Sequence, residues 1–119
     1  MRLLLDEPDA VAAERELNAF DLRVASRLLQ VELRRVGLRE DCLNDADRLL
    51  ADVSLIAVDE ETLTAAETIA PTTVATLDAI HLATAVRLHD AGRLDALMTY
   101  DKRLADGARE HGIAVLCPS

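Results

Sequence analysis

The sequence predicts an α/β protein in which helices flank a parallel sheet. Candidate strands and helices alternate along nearly the whole chain. The strand candidates are continuous apolar runs, as expected of parallel strands that are buried on both faces. Aromatic residues make up only 2% of the chain, so its core must be built from Leu, Val, Ile and Ala. A chain of 119 residues is predicted to form one domain over residues 1–119.

The elements follow from apolar periodicity and from the residues that end helices. Helices are predicted over residues 9–20, 27–37, 40–53, 59–70, 76–91 and 101–112. Strands are predicted over residues 22–26, 53–58, 94–100 and 113–116. Gly37 and Gly92 are placed to end two of the helices, and Pro71 closes a third. The beginning is ambiguous, because "MRLLLDEP" suits a short opening strand and "RLLLDEP" equally suits the tail of a helix.

Composition restricts the class of function. The formal net charge of -9 repels nucleic acid, so a nucleic-acid function requires a local basic patch or bound cations, and a basic partner is favoured. Cys42 and Cys117 have no paired Cys or His spacing, which predicts idle thiols in a reducing cytosol. No apolar run is long enough for a membrane span, and "MRLLLDEP" is too short for a signal peptide. We therefore expect a cytoplasmic protein with no membrane partner.

Three acids stand where a ligand site is expected. Asp101 directly follows a predicted strand, and it is equally a candidate helix N-cap. Glu32 falls inside an apolar helical stripe, where a carboxylate needs a cation or an ion pair, for example with Arg35. Asp78 opens the longest helix, where capping is the alternative and Thr76 could cap instead.

Grouped carboxylates without His or Cys ligands select Mg²⁺ or Mn²⁺, and the natural task of such a site is phosphodiester hydrolysis. His81 and His89 are interpreted as packed or half-exposed helix residues, since no partner stands at ligand spacing, although a single His near the carboxylates could contact substrate. His111 is expected on the surface.

Longer segments resemble a known family. "LDAIHLATAVRL" and "LDALMTYDKRLADGAREHGIAVLCP" resemble the C-terminal half of PIN-domain proteins of the VapC toxin type, and "VASRLLQVELRRV" resembles their acidic helix segment. The resemblance implies a metal-dependent endoribonuclease that forms homodimers and is blocked by an antitoxin protein. It makes Glu32, Asp78 and Asp101 the family's second, third and fourth acids, and Thr99 a supporting hydroxyl. Asp95 aligns less securely and is interpreted as a surface acid at a strand start.

The resemblance also implies a truncated N-terminus. "RLLLDEPDA" matches the stretch just after the family's first strand, so the central first strand and its Asp would lie upstream of Arg2. Asp6 and Glu7 are set aside as substitutes, because their context matches a later, surface-exposed part of the family. The expectation is therefore a PIN-like domain without its first strand, from a start codon assigned too late or from a truncated gene.

Competing functions follow from this departure. The first is a ribonuclease, with Arg35, Lys102 and Arg103 as candidate contacts to RNA phosphates, unless these are ordinary solvated helix charges. The second is a catalytically inactive truncated copy that only binds an antitoxin or another partner protein. A third is a receiver-like phosphate-handling domain. Against it, the chain lacks an acidic pair after a first strand and a clear Lys after a late strand, and it has no Gly-rich phosphate loop.

Overall fold

The computed structural model describes residues 2–5, 22–99 and 101–116. Its strands are β1 (Arg2–Leu5), β2 (Leu22–Ser26), β3 (Ser54–Ile56), β4 (Ala96–Met98) and β5 (Val115–Leu116). Its helices are α1 (Arg27–Arg39), α2 (Leu43–Ala51), α3 (Glu60–Ala66), α4 (Thr76–Asp90) and α5 (Lys102–Glu110). The predicted alternation is confirmed, whereas the helix predicted over 9–20 lies outside the described residues. None of the described helices has the length and apolarity needed to cross a membrane.

The strands form a sheet in the order β3-β2-β1-β4-β5. Every neighbouring pair is parallel. The chain builds outward from β1 to β3, returns to place β4 on the other side of β1, and continues outward to β5. In open α/β sheets, ligands bind beyond the carboxyl ends of the strands where the winding reverses. The topology therefore selects the carboxyl ends of β1 and β4 as the candidate ligand site.

The prediction of a sheet without its first strand is wrong. Arg2–Leu5 forms β1, which is the central strand of the sheet. Leu4 is opposite Val24 of β2, and Leu5 is opposite Met98 of β4. A strand in this place is required because β2 and β4 would otherwise each carry unpaired backbone groups in the middle of the sheet. The proposed truncation of the domain stays a prediction.

Helices cover both faces of the sheet. On one face, buried residues of β2 and β4 pack against Leu29 of α1, and Leu33 of α1 joins α2 in an adjoining cluster. On the other face, a larger cluster combines strand residues with residues of α4 and α5. Its buried members are Val24, Leu82, Ala85, Leu94, Leu97, Leu104, Ala108 and Ile113. This packing on both faces holds α1 and α4, which carry two of the predicted acids, against the same sheet.

Gly37 lies within α1 and does not end it. The helix continues to Arg39, and Glu40 is its C-cap, so the prediction that Gly37 caps this helix is wrong. A Cβ atom at Gly37 would lie 3.1 Å from the Cα atom of Leu43 and 3.3 Å from the Cβ atom of Ala46. Glycine is needed here because it lets α1 and α2 approach each other closely.

A charged network joins α3 to α4. Asp59 caps α3 by accepting a hydrogen bond of 2.9 Å from the Thr62 N–H. Arg87 of α4 donates to Asp59 Oδ1 at 2.6 Å and to Glu61 Oε2 at 2.9 Å. The hydrogen bonds from the backbone and side chain of Thr62, followed by the Arg87 guanidinium, lower the pKa of Asp59 below its ordinary value. Arg87 thereby helps to place α4, which carries Asp78.

A bulky side chain at position 37 should separate α1 from α2. Because the nearest neighbour is backbone, Gly37→Val should lower the free energy of unfolding by about 1–3 kcal/mol, the usual cost of overpacking. Urea denaturation followed by circular dichroism measures this change. Leu38→Val is the matched control, since Leu38 is an exposed residue of the same helix turn. Equal stability of the two variants would contradict the close packing at Gly37.

The Asp59 carboxylate should make stability depend on pH. The folded-state pKa of Asp59 lies below its ordinary value of 3.8. The charged carboxylate therefore stabilises the fold above pH 3.8, and this stabilisation is lost as the pH falls through the folded-state pKa. Asp59→Asn keeps a capping side chain but removes the charge. We expect the difference in Tm between wild type and variant to be largest near neutral pH and to shrink in acid. A difference that stays constant from neutral to acidic pH would contradict this assignment.

Candidate active site

The candidate site lies at the carboxyl edge of the sheet. Ser26 ends β2, and α1 begins with the next residue. On the other side of β1, Thr99 and Asp101 connect β4 to α5. Parallel strands end at the same edge, so these segments flank the end of β1. The predicted site residues are thus carried by elements that start at one edge of the sheet.

Glu32 of α1 contacts His81 of α4. Its Oε1 atom lies 2.7 Å from His81 Nε2. The predicted apolar stripe is confirmed at its centre, because Leu29 and Leu33 on either side of Glu32 are buried. The observed partner is an imidazole and not Arg35, which was the suggested ion-pair partner. The Glu32 side chain keeps 31% of its surface exposed, so it remains accessible to a ligand.

His81 links two elements through its two ring nitrogens. It is only 1% exposed, which confirms that it is packed. Its Nδ1 atom lies 3.3 Å from Ser26 Oγ, while Nε2 faces Glu32. Neither contact was predicted from the sequence, and Ser26 was not among the predicted site residues. One signal was available: His81 lies three residues after Asp78, so the two share a face of the predicted helix.

Asp78 lies in the first turn of α4 and is half-buried. Because His81 reaches the end of β2, the first turns of α4 lie near the carboxyl edge, and Asp78 precedes His81 by one turn. Neither Asp78 nor Thr76 occupies the N-cap position, which is taken by Ala75 without a side-chain cap. The N–H groups and dipole at the start of α4 favour a negative charge at Asp78.

Asp101 is the N-cap residue of α5. Its Oδ1 atom accepts a hydrogen bond of 2.9 Å from the Leu104 N–H. Its own N–H donates to Thr99 Oγ1 at 3.0 Å, and Thr99 is fully buried. The capping interpretation is therefore correct. It does not exclude a ligand role, because a carboxylate has a second oxygen.

The described side chains are not grouped closely enough to form a metal site by themselves. In the ranges 22–99 and 101–116, no group of three or more His, Cys, Asp or Glu residues is close enough to hold one. The structure pairs Glu32 with His81 and Asp101 with Thr99, but it does not gather Glu32, Asp78 and Asp101 into one set of ligands. The donor chemistry nevertheless fits, since carboxylate oxygens are the preferred ligands of Mg²⁺. The metal site of these three acids stays a prediction.

Two further acids follow β1 in the sequence. Leu5 ends β1 between β2 and β4. The next residue in the sequence is Asp6, which lies outside the described residues, as does Glu7. Both were set aside because their segment was assigned to an exposed part of the fold. Their exclusion as substitutes for the family's first acid stays a prediction.

Three basic side chains were predicted to contact RNA. Lys102 and Arg103 are exposed at the first two positions of α5, directly after Asp101. Arg35 is exposed on α1, three residues after Glu32. All three side chains are thus accessible to a polyanion, and their contact with RNA stays a prediction.

Comparison with known proteins identifies the family. The model of the PIN domain matches residues 1–110. The chain belongs to the PIN-domain family. This match confirms the resemblance seen in the sequence.

Curated relatives of this PIN domain include two proteins of Mycobacterium tuberculosis. Ribonuclease VapC46 is 41% identical over 122 residues, which cover 100% of the chain and 92% of the relative. Ribonuclease VapC47 is 36% identical over 124 residues, which cover 98% of the chain and 90% of the relative. A solved toxin–antitoxin complex from Klebsiella pneumoniae contains a chain that matches with a TM-score of 0.76 and 20% identity, over 98% of both chains. At that identity the structural match supports the fold alone.

The Thr99 hydroxyl should hold the backbone of Asp101. Thr99→Val preserves the shape but removes the acceptor of the Asp101 N–H, which should cost about 1–3 kcal/mol of unfolding free energy. Hydrogen exchange read by NMR should show faster exchange of the Asp101 amide. Thr99→Ser is the matched control, because it keeps the hydroxyl and should keep the amide protected. Equal exchange in the two variants would show that the hydroxyl does not hold this amide.

Proposed function

We propose that this PIN domain is a metal-dependent endoribonuclease and the toxin component of a toxin–antitoxin pair. One observation carries the proposal: the elements that bear Glu32, Asp78 and Asp101 start at the carboxyl edge of the sheet, beside its topological switch point. The ribonuclease names of the two mycobacterial relatives, which match over nearly their whole length, support it.

In this proposal the three acids bind Mg²⁺ or Mn²⁺. A divalent cation bound there supplies an activated water and neutralises the charge that develops on the leaving oxygen. The chain positions the ligands: α1 carries Glu32, the first turn of α4 carries Asp78, and the cap of α5 orients Asp101. Since the net charge is -9, bound cations also reduce the repulsion between this protein and RNA.

The basic residues have a separate task in the proposal. Lys102, Arg103 and Arg35 contact the phosphates on either side of the cleaved bond, because they are exposed on helices that also carry Asp101 and Glu32. These contacts neutralise phosphates without reading the base sequence.

The proposed partner is an antitoxin protein. The chain resembles, in fold, a protein solved within a toxin–antitoxin complex, and its acidic character favours a basic partner. We further propose that the toxin forms a homodimer and acts in the cytoplasm, where its RNA substrate lies.

Metal-dependent cleavage of a structured RNA by the full chain tests the proposal. Glu32→Gln, Asp78→Asn and Asp101→Asn should each lower the cleavage rate roughly 100-fold or more, as expected when a group that acts in the chemical step is removed. Asn still caps a helix well, so Asp101→Asn keeps the start of α5. Asp95→Asn is the control, because it makes the same charge change at an exposed residue.

The same assay decides the role of Asp6. Loss of cleavage in Asp6→Asn would make it the acid that completes the metal site, and unchanged cleavage would exclude it. If folded wild-type protein cleaves no RNA with either Mg²⁺ or Mn²⁺, the nuclease proposal fails. The partner-binding function would then be the better account.

A further inference from the structure

We propose that His81 is a positioning residue that holds the Glu32 carboxylate in the orientation in which it binds the divalent cation. The inference rests on the proposed function, because it assigns a further role within the same site. It concerns a side chain that is itself neither a predicted metal ligand nor exposed to substrate.

The contacts define how His81 is held. The Glu32 carboxylate is an acceptor, so the 2.7 Å contact places a proton on His81 Nε2. In the neutral ring, Nδ1 is then an acceptor, and the Ser26 hydroxyl at 3.3 Å donates to it. Ser26, His81 and Glu32 therefore form one directed chain of hydrogen bonds. It begins at the end of β2 and leads to the carboxylate.

Burial makes the Ser26–His81 end of this series of hydrogen bonds rigid. Ser26 and His81 are each 1% exposed, and the neighbours Leu82 and Ala83 of His81 are also buried. The imidazole thus cannot turn away without leaving polar nitrogens unpaired in the core. Glu32, in contrast, keeps 31% of its side-chain surface exposed. The rigid ring holds one oxygen of an accessible carboxylate and leaves the other for a ligand.

A structural role alone does not require this arrangement. A buried imidazole whose ring nitrogens only need hydrogen-bond partners can bond to backbone groups on both sides. His81 Nε2 instead contacts the side chain of Glu32, a predicted metal ligand. Hydrogen-bond partners of metal-ligating carboxylates orient the ligand and strengthen metal binding. The hydrogen bonds that lead from Ser26 through His81 to Glu32 support the Glu32 carboxylate in this way.

Two substitutions at position 81 separate positioning from packing. In His81→Gln the amide nitrogen takes the place of Nε2, so a donor to Glu32 is kept. In His81→Asn the amide nitrogen takes the place of Nδ1, so that donor is lost. Both variants bury one amide, and thermal unfolding measures their stability. His89→Gln, on the same helix, is the control.

The main readout is the affinity for Mn²⁺, measured by electron paramagnetic resonance of the full chain without RNA. His81→Asn should weaken Mn²⁺ binding by about 10–100-fold, the usual effect of losing a ligand's hydrogen-bond partner. His81→Gln should keep most of the affinity, and RNA cleavage should follow the same order. Nitrogen-15 NMR of the metal-free wild type should show His81 protonated at Nε2.

The outcomes distinguish this inference from the proposed function. Wild-type protein that binds no Mn²⁺ and cleaves no RNA overturns the proposed function and the inference with it. If wild type binds Mn²⁺ but His81→Gln and His81→Asn bind equally well, or equally poorly, only the positioning role is overturned. A metal-free ring protonated at Nδ1 alone also overturns it, without any assay of activity.

Discussion

The parallel pairing of β1 with both β2 and β4 is the constraint on which the rest of the structure depends. Each neighbour exposes a row of backbone donors and acceptors toward the centre of the sheet, and only a strand can satisfy both rows at once. Arg2–Leu5 fills that place with four residues. The pairing sets the register, and the register brings the end of β2 and the end of β4 to one edge.

At that edge, two carboxylates each use one oxygen in a hydrogen bond that stabilises the fold. Asp101 holds the start of α5 with one carboxylate oxygen, while its backbone is held by Thr99. Glu32 keeps one oxygen on His81, and its side chain remains partly exposed. In the proposed metal site, this orientation of each carboxylate lowers the cost of binding a cation, because less side-chain freedom remains to be lost.

The position of α4 is set at both ends by polar contacts. Near its start, His81 is tied to the end of β2 through Ser26, and near its end Arg87 is tied to Asp59 and to α3. Apolar packing between α4 and the sheet supplies the driving force but little directional precision. The polar contacts are directional, so they fix the rotation of the helix and hence the place of Asp78.

The alternation of strands and helices and the capping position of Asp101 could be predicted from the sequence alone. So could the span of α4, which was predicted from Thr76 to Ala91 and is observed as Thr76–Asp90. These are local properties, because periodicity, caps and chain adjacency act within a few residues. Three features became evident only from the tertiary structure: the ambiguous first segment is a central strand, Gly37 of α1 packs closely against α2, and His81 faces Glu32. The His81 contacts join residues 49 and 55 positions apart in the chain. Local pattern carries no information on such pairs, since strand order and helix packing bring them together.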